Sequence, residues 1–300
     1  MPKICDRMGL RCWALAVLVH LTTGVLVHRA FAFYDRAGPH RVHSSTNITR
    51  GHSASSLHEM PPSNSTAEMT CDLVFFPASR APEGGWPVYQ FNCGTATKPH
   101  DYRETLEHIA SHGFVAVANL MDVKPDETFP RIPKAEACLK AIQTGGLPVP
   151  VDGNSVVVGG HSGGGPSAAI LAFRHGLAGF VGQHAAAIPH VNLPTQEVIK
   201  GITGAVLQMC GSNDTMPFCG CDAAKSGYYN RFRTTTPRML VESPFGHDAA
   251  LFAGGNKAEG GLVVAFLYHV LKRDNEARRA LVEAGSRQGY TIDDELYPVK

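Results

Sequence analysis

The stretch Val156–Pro166, Val-Val-Val-Gly-Gly-His-Ser-Gly-Gly-Gly-Pro, determines how the rest of the chain is interpreted. Its run of three valines is typical of a buried strand, and small residues that suit a helix follow Pro166. Gly160, Ser162 and Gly164 fit the pattern G-x-S-x-G. In that pattern a sharp turn from strand to helix projects the serine hydroxyl above a sheet, and a side chain two residues from the serine would collide across the turn. The stretch therefore predicts a nucleophilic serine.

The same glycines also fit a dinucleotide-binding loop, since Gly163–Ala168 reads G-x-G-x-x-A. Such a loop requires an acidic residue about 20 residues further along the chain to bind the ribose. No Asp or Glu occurs between Asp152 and Glu197. The sequence therefore argues against dinucleotide binding.

From Thr70 onward, short apolar runs alternate with helical patterns. Seven runs bounded by turn residues predict buried strands: Leu73–Phe76, Val88–Phe91, Phe114–Ala118, Ser155–Val158, Gly179–Gly182, Ala205–Met209 and Met239–Val241. Five segments predict helices: Tyr102–Ser111, Ile132–Thr144, Pro166–His175, Asp222–Phe232 and Gly261–Lys272. This alternation predicts an α/β fold with a mostly parallel, doubly wound sheet flanked by helices. Functional groups in such sheets lie on loops at the carboxyl ends of the strands.

Two later loops supply the partners that a serine nucleophile requires. A base takes the hydroxyl proton, an acid orients the base, and the chain order in this architecture is serine, acid, histidine. Asp214 follows the predicted strand Ala205–Met209, and His247 follows the next strand. We therefore predict a triad of Ser162, Asp214 and His247, with Asp222 as the alternative acid.

Attack of a serine on a carbonyl creates an oxyanion that backbone N–H groups stabilise. The N–H of Gly163 comes directly after the serine, at the predicted start of a helix. The loop after the strand Val88–Phe91 contains Gly94 and Thr95, and we predict the N–H of Thr95 as the second donor. An ordinary glycine-containing turn is the alternative interpretation of that loop.

The composition sets further limits on function. The chain of 300 residues is 44% hydrophobic and 18% charged, which is ordinary for one large globular domain. Its net charge is +1 without a block of five or six basic residues, so we expect no nucleic-acid partner. The cysteines and histidines lack the paired spacing of a zinc finger, and we expect neither a metal nor a cofactor. We expect the protein to act as a monomer on its substrate, without insertion into a membrane.

The first 68 residues differ from the rest. Basic residues, an apolar run of about 15 residues and the small-x-small end Ala30–Ala32 predict a signal peptide over residues 1–32. Residues 33–68 are rich in Ser, Thr, His and Arg, which predicts either a disordered spacer, glycosylated at Asn47 and Asn64, or a transit-peptide-like segment. We expect secretion, with a plastid destination through a bipartite presequence as the alternative. The folded domain is predicted over residues 69–283, followed by a C-terminal tail over 284–300.

Six cysteines follow residue 32: Cys71, Cys93, Cys138, Cys210, Cys219 and Cys221. A secretory context permits disulfides among them, but the sequence alone does not choose the pairs.

Several segments resemble α/β-hydrolases of the dienelactone-hydrolase-like branch, which includes poly(ethylene terephthalate) hydrolases, bacterial cutinases and chlorophyllases. Ile109–Val115, Ile-Ala-Ser-His-Gly-Phe-Val, resembles the stretch that follows their oxyanion turn. Gly160–Gly164 matches their serine motif, Gly211–Thr215 their acid loop and Phe245–His247 their histidine loop. The resemblance covers roughly residues 70–283 and implies the α/β-hydrolase fold, here without a large lid.

The resemblance implies a serine carboxylic ester hydrolase that works through an acyl-enzyme on a bulky or polymeric ester in an open groove. A chlorophyllase-like plastid esterase that releases phytol from chlorophyll is the alternative, and a non-catalytic binding module on the same fold is the alternative of another class. His161 and His190 stand where polyester hydrolases carry residues that contact substrate, and we expect both to bind it. Gly163 replaces the arginine that follows the serine in chlorophyllases.

Overall fold

The computed structural model describes residues 33–49, 69–120, 132–187, 196–251, 253–287 and 290–295. Nine strands form one sheet: β1 Val42–Thr49, β2 Met69–Pro77, β3 Trp86–Asn92, β4 Val115–Asn119, β5 Val151–His161, β6 Gly179–Gln183, β7 Ala205–Gly211, β8 Arg238–Ser243 and β9 Thr291–Glu295. The helices are α1 Arg103–Ser111, α2 Ile132–Gln143, α3 Gly164–His175, α4 Gln196–Gly201, α5 Cys221–Gly227, α6 Ala253–Leu271 and α7 Asn275–Arg287. Short 3-10 turns cover Pro99–Tyr102, Tyr229–Arg231 and His247–Ala250.

The sheet is mostly parallel, as the alternation of strands and helices predicts. Its order is β1-β2-β4-β3-β5-β6-β7-β8-β9, with parallel pairing from β4 through β8 and antiparallel pairing of β1, β2 and β9. All seven predicted strands overlap β2 to β8, so the predicted fold class is confirmed.

Helices cover both faces of the sheet. On one face, Leu106 of α1 and Phe266 of α6 belong to one buried apolar cluster with the sheet, which also includes Leu281 of α7. On the other face, Leu139 of α2 and Leu171 of α3 belong to a second buried cluster. Because both faces are buried, the central strands are mostly apolar, which is why they could be located from the sequence.

The strand order reverses between β3 and β5. From β3 the chain moves outward to β4, and it then returns to place β5 on the other side of β3. Ligands of open α/β sheets bind at such a reversal, in the crevice outside the carboxyl ends of the strands. In this protein the crevice lies between the loop after Asn92 and the turn after His161.

Both ends of the folded region differ from the prediction. Part of the expected spacer over 33–68 is structured: β1 pairs with β2, and Tyr34 is buried, with its carbonyl bonded to the His108 ring at 2.7 Å. Part of the expected tail over 284–300 forms β9, which pairs with β8. The two added strands are polar, because they lie at the edges of the sheet. Residues 1–32, with the predicted signal peptide, and residues 50–68, with Asn64, lie outside the described residues, as does the Asn47 side chain.

Two disulfides connect described residues. Cys71–Cys138 joins β2 to α2, and Cys210–Cys221 joins the end of β7 to the start of α5. Within the ranges that the structure describes, no helix combines the length and apolarity needed to cross a bilayer.

Candidate active site

Ser162 occupies the turn between β5 and α3. Its φ of 49° is in the left-handed region, which costs a residue with a side chain roughly 1–3 kcal/mol. Hydrogen bonds hold this conformation: the Ser162 N–H donates to the Gln183 carbonyl at 3.2 Å, and the Ser162 carbonyl accepts from Ala186 at 2.9 Å. The strained serine predicted from the G-x-S-x-G pattern is therefore present in the fold.

The flanking glycines leave no room for side chains. A Cβ on Gly160 would lie 2.3 Å from the Gly164 carbonyl oxygen, directly across the turn. A Cβ on Gly164 would lie 2.2 Å from the Asn92 carbonyl oxygen at the end of β3. Glycine at both positions lets the turn pack tightly against the neighbouring strand.

The predicted acid and base are in contact. Asp214 lies in the loop after β7, His247 begins the 3-10 turn after β8, and the Nδ1–H of His247 donates to Asp214 Oδ2 at 2.9 Å. The Asp214 side chain is fully buried, and its Oδ1 also accepts from the Met216 N–H at 2.9 Å. Asp222, the alternative acid, lies in the first turn of α5 and makes no contact with His247 among the interactions described.

Asp214 is held in its charged form. Burial by itself would raise the pKa of this carboxyl, but hydrogen bonds from His184, His247 and the Met216 N–H outweigh it and lower the pKa to about 2. An ionised carboxylate at this position fixes the tautomer of His247 by accepting from Nδ1, so Nε2 carries the lone pair that a general base needs.

The loop that carries Thr95 lies against the serine turn. A Cβ on Gly163 would lie 2.3 Å from Thr95 Oγ1, and a Cβ on Gly94 would lie 3.3 Å from the Cβ of Ser162. Among the described residues, no backbone carbonyl accepts a hydrogen bond from the N–H of Thr95 or of Gly163. Both predicted oxyanion donors therefore lie beside Ser162 with their N–H groups available.

His161 connects the loop of the base to the loop of the oxyanion donors. Its Nε2–H donates to the His247 carbonyl at 3.0 Å, so its Nδ1 must accept the hydrogen bond that joins it to Tyr102 Oη at 2.9 Å. The Tyr102 oxygen in turn accepts from the Gly94 N–H at 2.9 Å. Burial, together with the neighbouring His247, lowers the pKa of His161 to about 3 and keeps this relay neutral.

This placement corrects the substrate contact that we expected of His161. The residue is only 1% exposed and both of its ring nitrogens are already bonded inside the protein. His161 therefore supports the site from inside the protein and does not line its surface. His190 lies outside the described residues, and its predicted contact with substrate stays a prediction.

The acid loop carries two further features. Met216 and Phe218 are about half exposed, so this loop presents apolar surface beside Asp214. Cys219 is a free, buried cysteine. Burial and the charge of Asp214 raise its pKa to about 11, and a hydrogen bond between its thiol and the Ser162 side chain acts in the opposite direction. Cys219 is therefore a neutral thiol next to the serine, and the Cys210–Cys221 disulfide closes the base of the loop.

Two groups of described side chains have the spacing of metal ligands. Cys210, Cys221 and Glu242 form one, but its cysteines are joined in a disulfide and cannot act as thiolates. His184, Asp214 and His247 form the other. In this second group both imidazoles approach the same carboxylate oxygen through hydrogen bonds, which is the geometry of a proton-bridged cluster.

A cavity of about 700 Å³ lies elsewhere, between the segment containing Asp35 and His40 and the helix α1. None of the residues that line it belongs to the serine turn, the acid loop or the histidine loop. We therefore place no part of the candidate active site there.

Sequence reasoning missed three residues of this site. Tyr102 begins a predicted helix, which gave no sign of a role in the site. His184 follows β6 directly, so its position at the carboxyl end of a strand was a signal that could have identified it. The predicted chain order of serine, acid and histidine excludes His184 as the base because it precedes Asp214, although its ring contacts Asp214 at 3.0 Å. Glu259 lies inside α6, where no sequence pattern distinguishes it.

The order of the sheet and the strained serine at its reversal are those of the α/β-hydrolase fold. Residues 44–187 match the family model described as Chlorophyllase, an α/β-hydrolase family. The resemblance to chlorophyllase-like α/β-hydrolases that the sequence indicates is therefore confirmed. The match includes Ser162 and ends before Asp214 and His247, and at the level of the family it supports an esterase of the serine-hydrolase type. A search of curated proteins finds no match to this chain.

Proposed function

We propose that the protein is a serine carboxylic ester hydrolase with Ser162 as nucleophile, His247 as base and Asp214 as the acid that orients it. The observation that carries the proposal is the buried bond of 2.9 Å between His247 and Asp214, in loops at the same sheet edge as the strained Ser162. Backbone strain at a serine costs stability, and a catalytic role accounts for that strain.

The proposed reaction has two steps. In the first, His247 Nε2 takes the Ser162 proton while Oγ attacks the ester carbonyl, and the tetrahedral intermediate then collapses as the imidazolium returns the proton to the leaving alcohol. In the second, His247 activates a water in the same way, and the water releases the acid from the acyl-enzyme. Asp214 remains ionised throughout and stabilises the imidazolium in both steps.

The oxyanion of each intermediate would be bound by the N–H groups of Gly163 and Thr95. The close approach of these two residues supports this assignment, because a Cβ on Gly163 would lie 3.6 Å from the backbone nitrogen of Thr95. Each such donor contributes roughly 10²–10³ to the rate in enzymes of this type.

We propose a bulky, apolar ester as the substrate. The half-exposed Met216 and Phe218 would offer an apolar surface next to the acid, which suits a large hydrophobic group better than a small or charged one. Between Ser162 and Asp214, the described residues form α3, β6, the six-residue α4 and β7, and α4 is the shorter of these two helices. A polymeric ester and the phytyl ester of chlorophyll both fit, and the chlorophyllase match makes chlorophyll the first substrate to test.

The site and the substrate are tested together. Wild-type protein is incubated with p-nitrophenyl esters of increasing chain length, with chlorophyll, and with a polyester film. We expect hydrolysis of the longer p-nitrophenyl esters and release of chlorophyllide, both abolished in Ser162→Ala. Ser167→Ala is the matched control, because Ser167 is a buried serine of α3 whose hydroxyl has no partner among the described residues.

The outcomes separate the candidate functions. Release of soluble products from the film without chlorophyllide would favour the polyesterase. Wild-type protein as inert as Ser162→Ala on every ester would refute the hydrolase, and retained binding of chlorophyll in that case would favour a non-catalytic binding module.

We further propose export of the protein. The predicted signal peptide and the two disulfides suit an oxidising extracellular space or a compartment reached through the secretory pathway, such as a complex plastid. Fusion of residues 1–68 to a fluorescent protein tests this, and fluorescence that stays in the cytosol would contradict it.

A further inference from the structure

A second histidine lies on the far side of Asp214. His184 comes directly after β6, its side chain is fully buried, and its φ of 48° places another residue of this site in the left-handed region. Its backbone N–H donates to the Met209 carbonyl of β7 at 2.9 Å. The proposed mechanism makes no use of this residue, and yet the fold tolerates backbone strain to place its ring there.

The ring of His184 lies between two carboxylates. Its Nδ1 is 3.0 Å from Asp214 Oδ2, and its Nε2 is 3.3 Å from Glu259 Oε1. Both carboxylates are buried, since the Asp214 side chain is inaccessible and that of Glu259 is 1% exposed. Ionised carboxylate oxygens only accept hydrogen bonds, so both ring nitrogens must carry a proton for both contacts to be favourable.

The charge of the ring agrees with its position. Burial by itself would lower the pKa of His184, but the hydrogen bonds and the charges of Asp214 and Glu259 outweigh it and raise the pKa to about 9. Two more histidine rings face it, those of His161 at 6.2 Å and His247 at 6.0 Å between centroids. His161 is neutral, so the positive charge of His184 opposes only the imidazolium that forms on His247.

Glu259 is fixed in place to meet His184. Ser243 Oγ, at the end of β8, donates to Glu259 Oε1 at 2.8 Å. The second oxygen, Oε2, is buried without a hydrogen-bond partner among the described residues, so the imidazolium is the principal compensation for this charge. Tyr290 also faces Glu259, and the pKa of its phenol is raised by burial and by that carboxylate.

Space for the His184 ring depends on a glycine. A Cβ on Gly211 would lie 2.9 Å from His184 Cε1 and 2.1 Å from the Phe245 carbonyl oxygen. The strand that leads to Asp214 therefore ends in the residue that leaves room for the ring.

Taking the proposed hydrolase as given, we propose that His184 is a positioning residue: a buried imidazolium, held by Glu259, that fixes the carboxylate of Asp214 in the orientation His247 requires. Asp214 Oδ2 then has donors on two sides, His184 and His247, while Met216 holds Oδ1, so the carboxylate cannot rotate away from the base. Glu259 acts one step further out, through His184.

This arrangement affects the electrostatics at His247 as well as the position of Asp214. The imidazolium of His184 partly cancels the charge of Asp214 that His247 experiences. Removing it strengthens the attraction between Asp214 and a protonated His247, which favours the protonated form of the base. Because protonated His247 cannot act as a base, the acidic limb of kcat/KM against pH then moves to higher pH.

The kinetic test compares four variants with wild type. We expect His184→Gln to lower kcat about 10- to 100-fold with little change in KM, since misplacement of a catalytic group has an effect of that size, and to move the acidic limb upward. Glu259→Gln should act in the same direction and less strongly. Because Glu259 acts only through His184, the double variant should be no worse than His184→Gln alone. Glu136→Gln is the control, since Glu136 pairs with Arg174 at the surface, away from the site.

A histidine that only supported the fold would lower the amount of active protein without moving the acidic limb. An unchanged limb in His184→Gln therefore overturns the proposal, as does a double variant whose losses multiply. If His184→Gln fails to fold because Glu259 is left unpaired, the double variant, which buries neither charge of the pair, carries the same test.

A spectroscopic measurement tests the protonation state without any assay of activity. Protein labelled with ¹⁵N-histidine and carrying Ser162→Ala is examined by NMR at pH 7.5, with His184→Gln used to assign the signals. We expect both ring nitrogens of His184 to be protonated, while His161 shows one protonated and one bare nitrogen. A neutral His184 at that pH overturns the proposal. If the wild type hydrolyses no ester, the proposed function fails, and the NMR result still stands on its own.

Discussion

The Nε2–H of His161 donates to the carbonyl of His247 at 3.0 Å, so the residue before Ser162 holds the backbone of the proposed base. The two rings lie 4.7 Å apart between centroids. Because β5 and β8 are separated by two strands, this bond spans the crevice at the carboxyl edge of the sheet. The position of His247 therefore depends on the strand that carries the nucleophile as well as on its own loop.

The relay through Tyr102 predicts the effect of removing one oxygen. Tyr102→Phe leaves the Gly94 N–H and the Nδ1 of His161 without their partner, so both ends of the site loosen. We expect kcat to fall about tenfold with KM nearly unchanged, and the free energy of unfolding to fall by about 1–3 kcal/mol for the buried groups left unpaired. Steady-state kinetics and urea unfolding measure the two effects. Tyr229→Phe, which removes a bond to the Asp293 carbonyl outside this relay, should leave kcat unchanged.

The contact between the two oxyanion loops predicts a rescue. The new methyl group of Gly163→Ala would lie 2.3 Å from Thr95 Oγ1, so we expect the Thr95 loop to be displaced and kcat to fall at least tenfold. Thr95→Ala keeps the backbone N–H and removes that oxygen. The double variant should therefore recover most of the activity that Gly163→Ala loses. A double variant that is no more active than Gly163→Ala would show that the two loops do not act together.

Loss of either disulfide should lower stability, but loss of only one of them should also lower kcat. Cys71–Cys138 closes a loop over a separation of 67 residues and Cys210–Cys221 over 11, so chain entropy gives about 4 kcal/mol and about 3 kcal/mol of stabilisation respectively. The longer loop contains Thr95 and Tyr102, but its disulfide joins β2 to α2, whereas the shorter disulfide closes the acid loop itself around Asp214. Replacing both cysteines of the first pair by alanine should lower stability with kcat retained, while replacing the second pair should lower kcat as well. Denaturation curves and kinetics at a temperature where all variants are folded separate the two effects.

The buried charges predict how stability depends on pH. His184 has a raised pKa in the folded state, so its stabilisation is complete below 6.5 and is lost as the pH rises through about 9. Asp214 has a lowered pKa, so its contribution is present above 3.8 and is lost as the pH falls toward about 2. Urea unfolding between pH 6 and pH 10 should show a decline in the wild type that is much smaller in His184→Gln. Parallel declines in the two proteins would contradict this assignment.

The central part of the fold could be predicted because its strands are buried on both faces. A run of three valines such as Val156–Val158 would be unfavourable at the surface, and it lies buried inside the sheet. The edge strands gave no such signal, since β1 and β9 present mainly polar side chains to water. The segments that contain them were consequently interpreted as a spacer and a tail.

The loops of the candidate site could be located because each follows a predictable strand. Asp214 and His247 were found through the chain order that this architecture imposes, and their contact agrees with that reasoning. The role of His184 could not be found in the same way. Its importance depends on a bond to Glu259, 75 residues later, in a helix whose inward face is fixed only by packing.

The pairing of β9 with β8 has a consequence for how copies of the protein meet one another. The strand that leads to His247 would be the outermost strand of the sheet if residues 291–295 were removed, and its open row of backbone groups could then join the same row on a second molecule. A chain without β9 would therefore be prone to aggregate through the exposed edge strand β8, which leads to His247. By pairing with β8, β9 protects that edge of the sheet from such association.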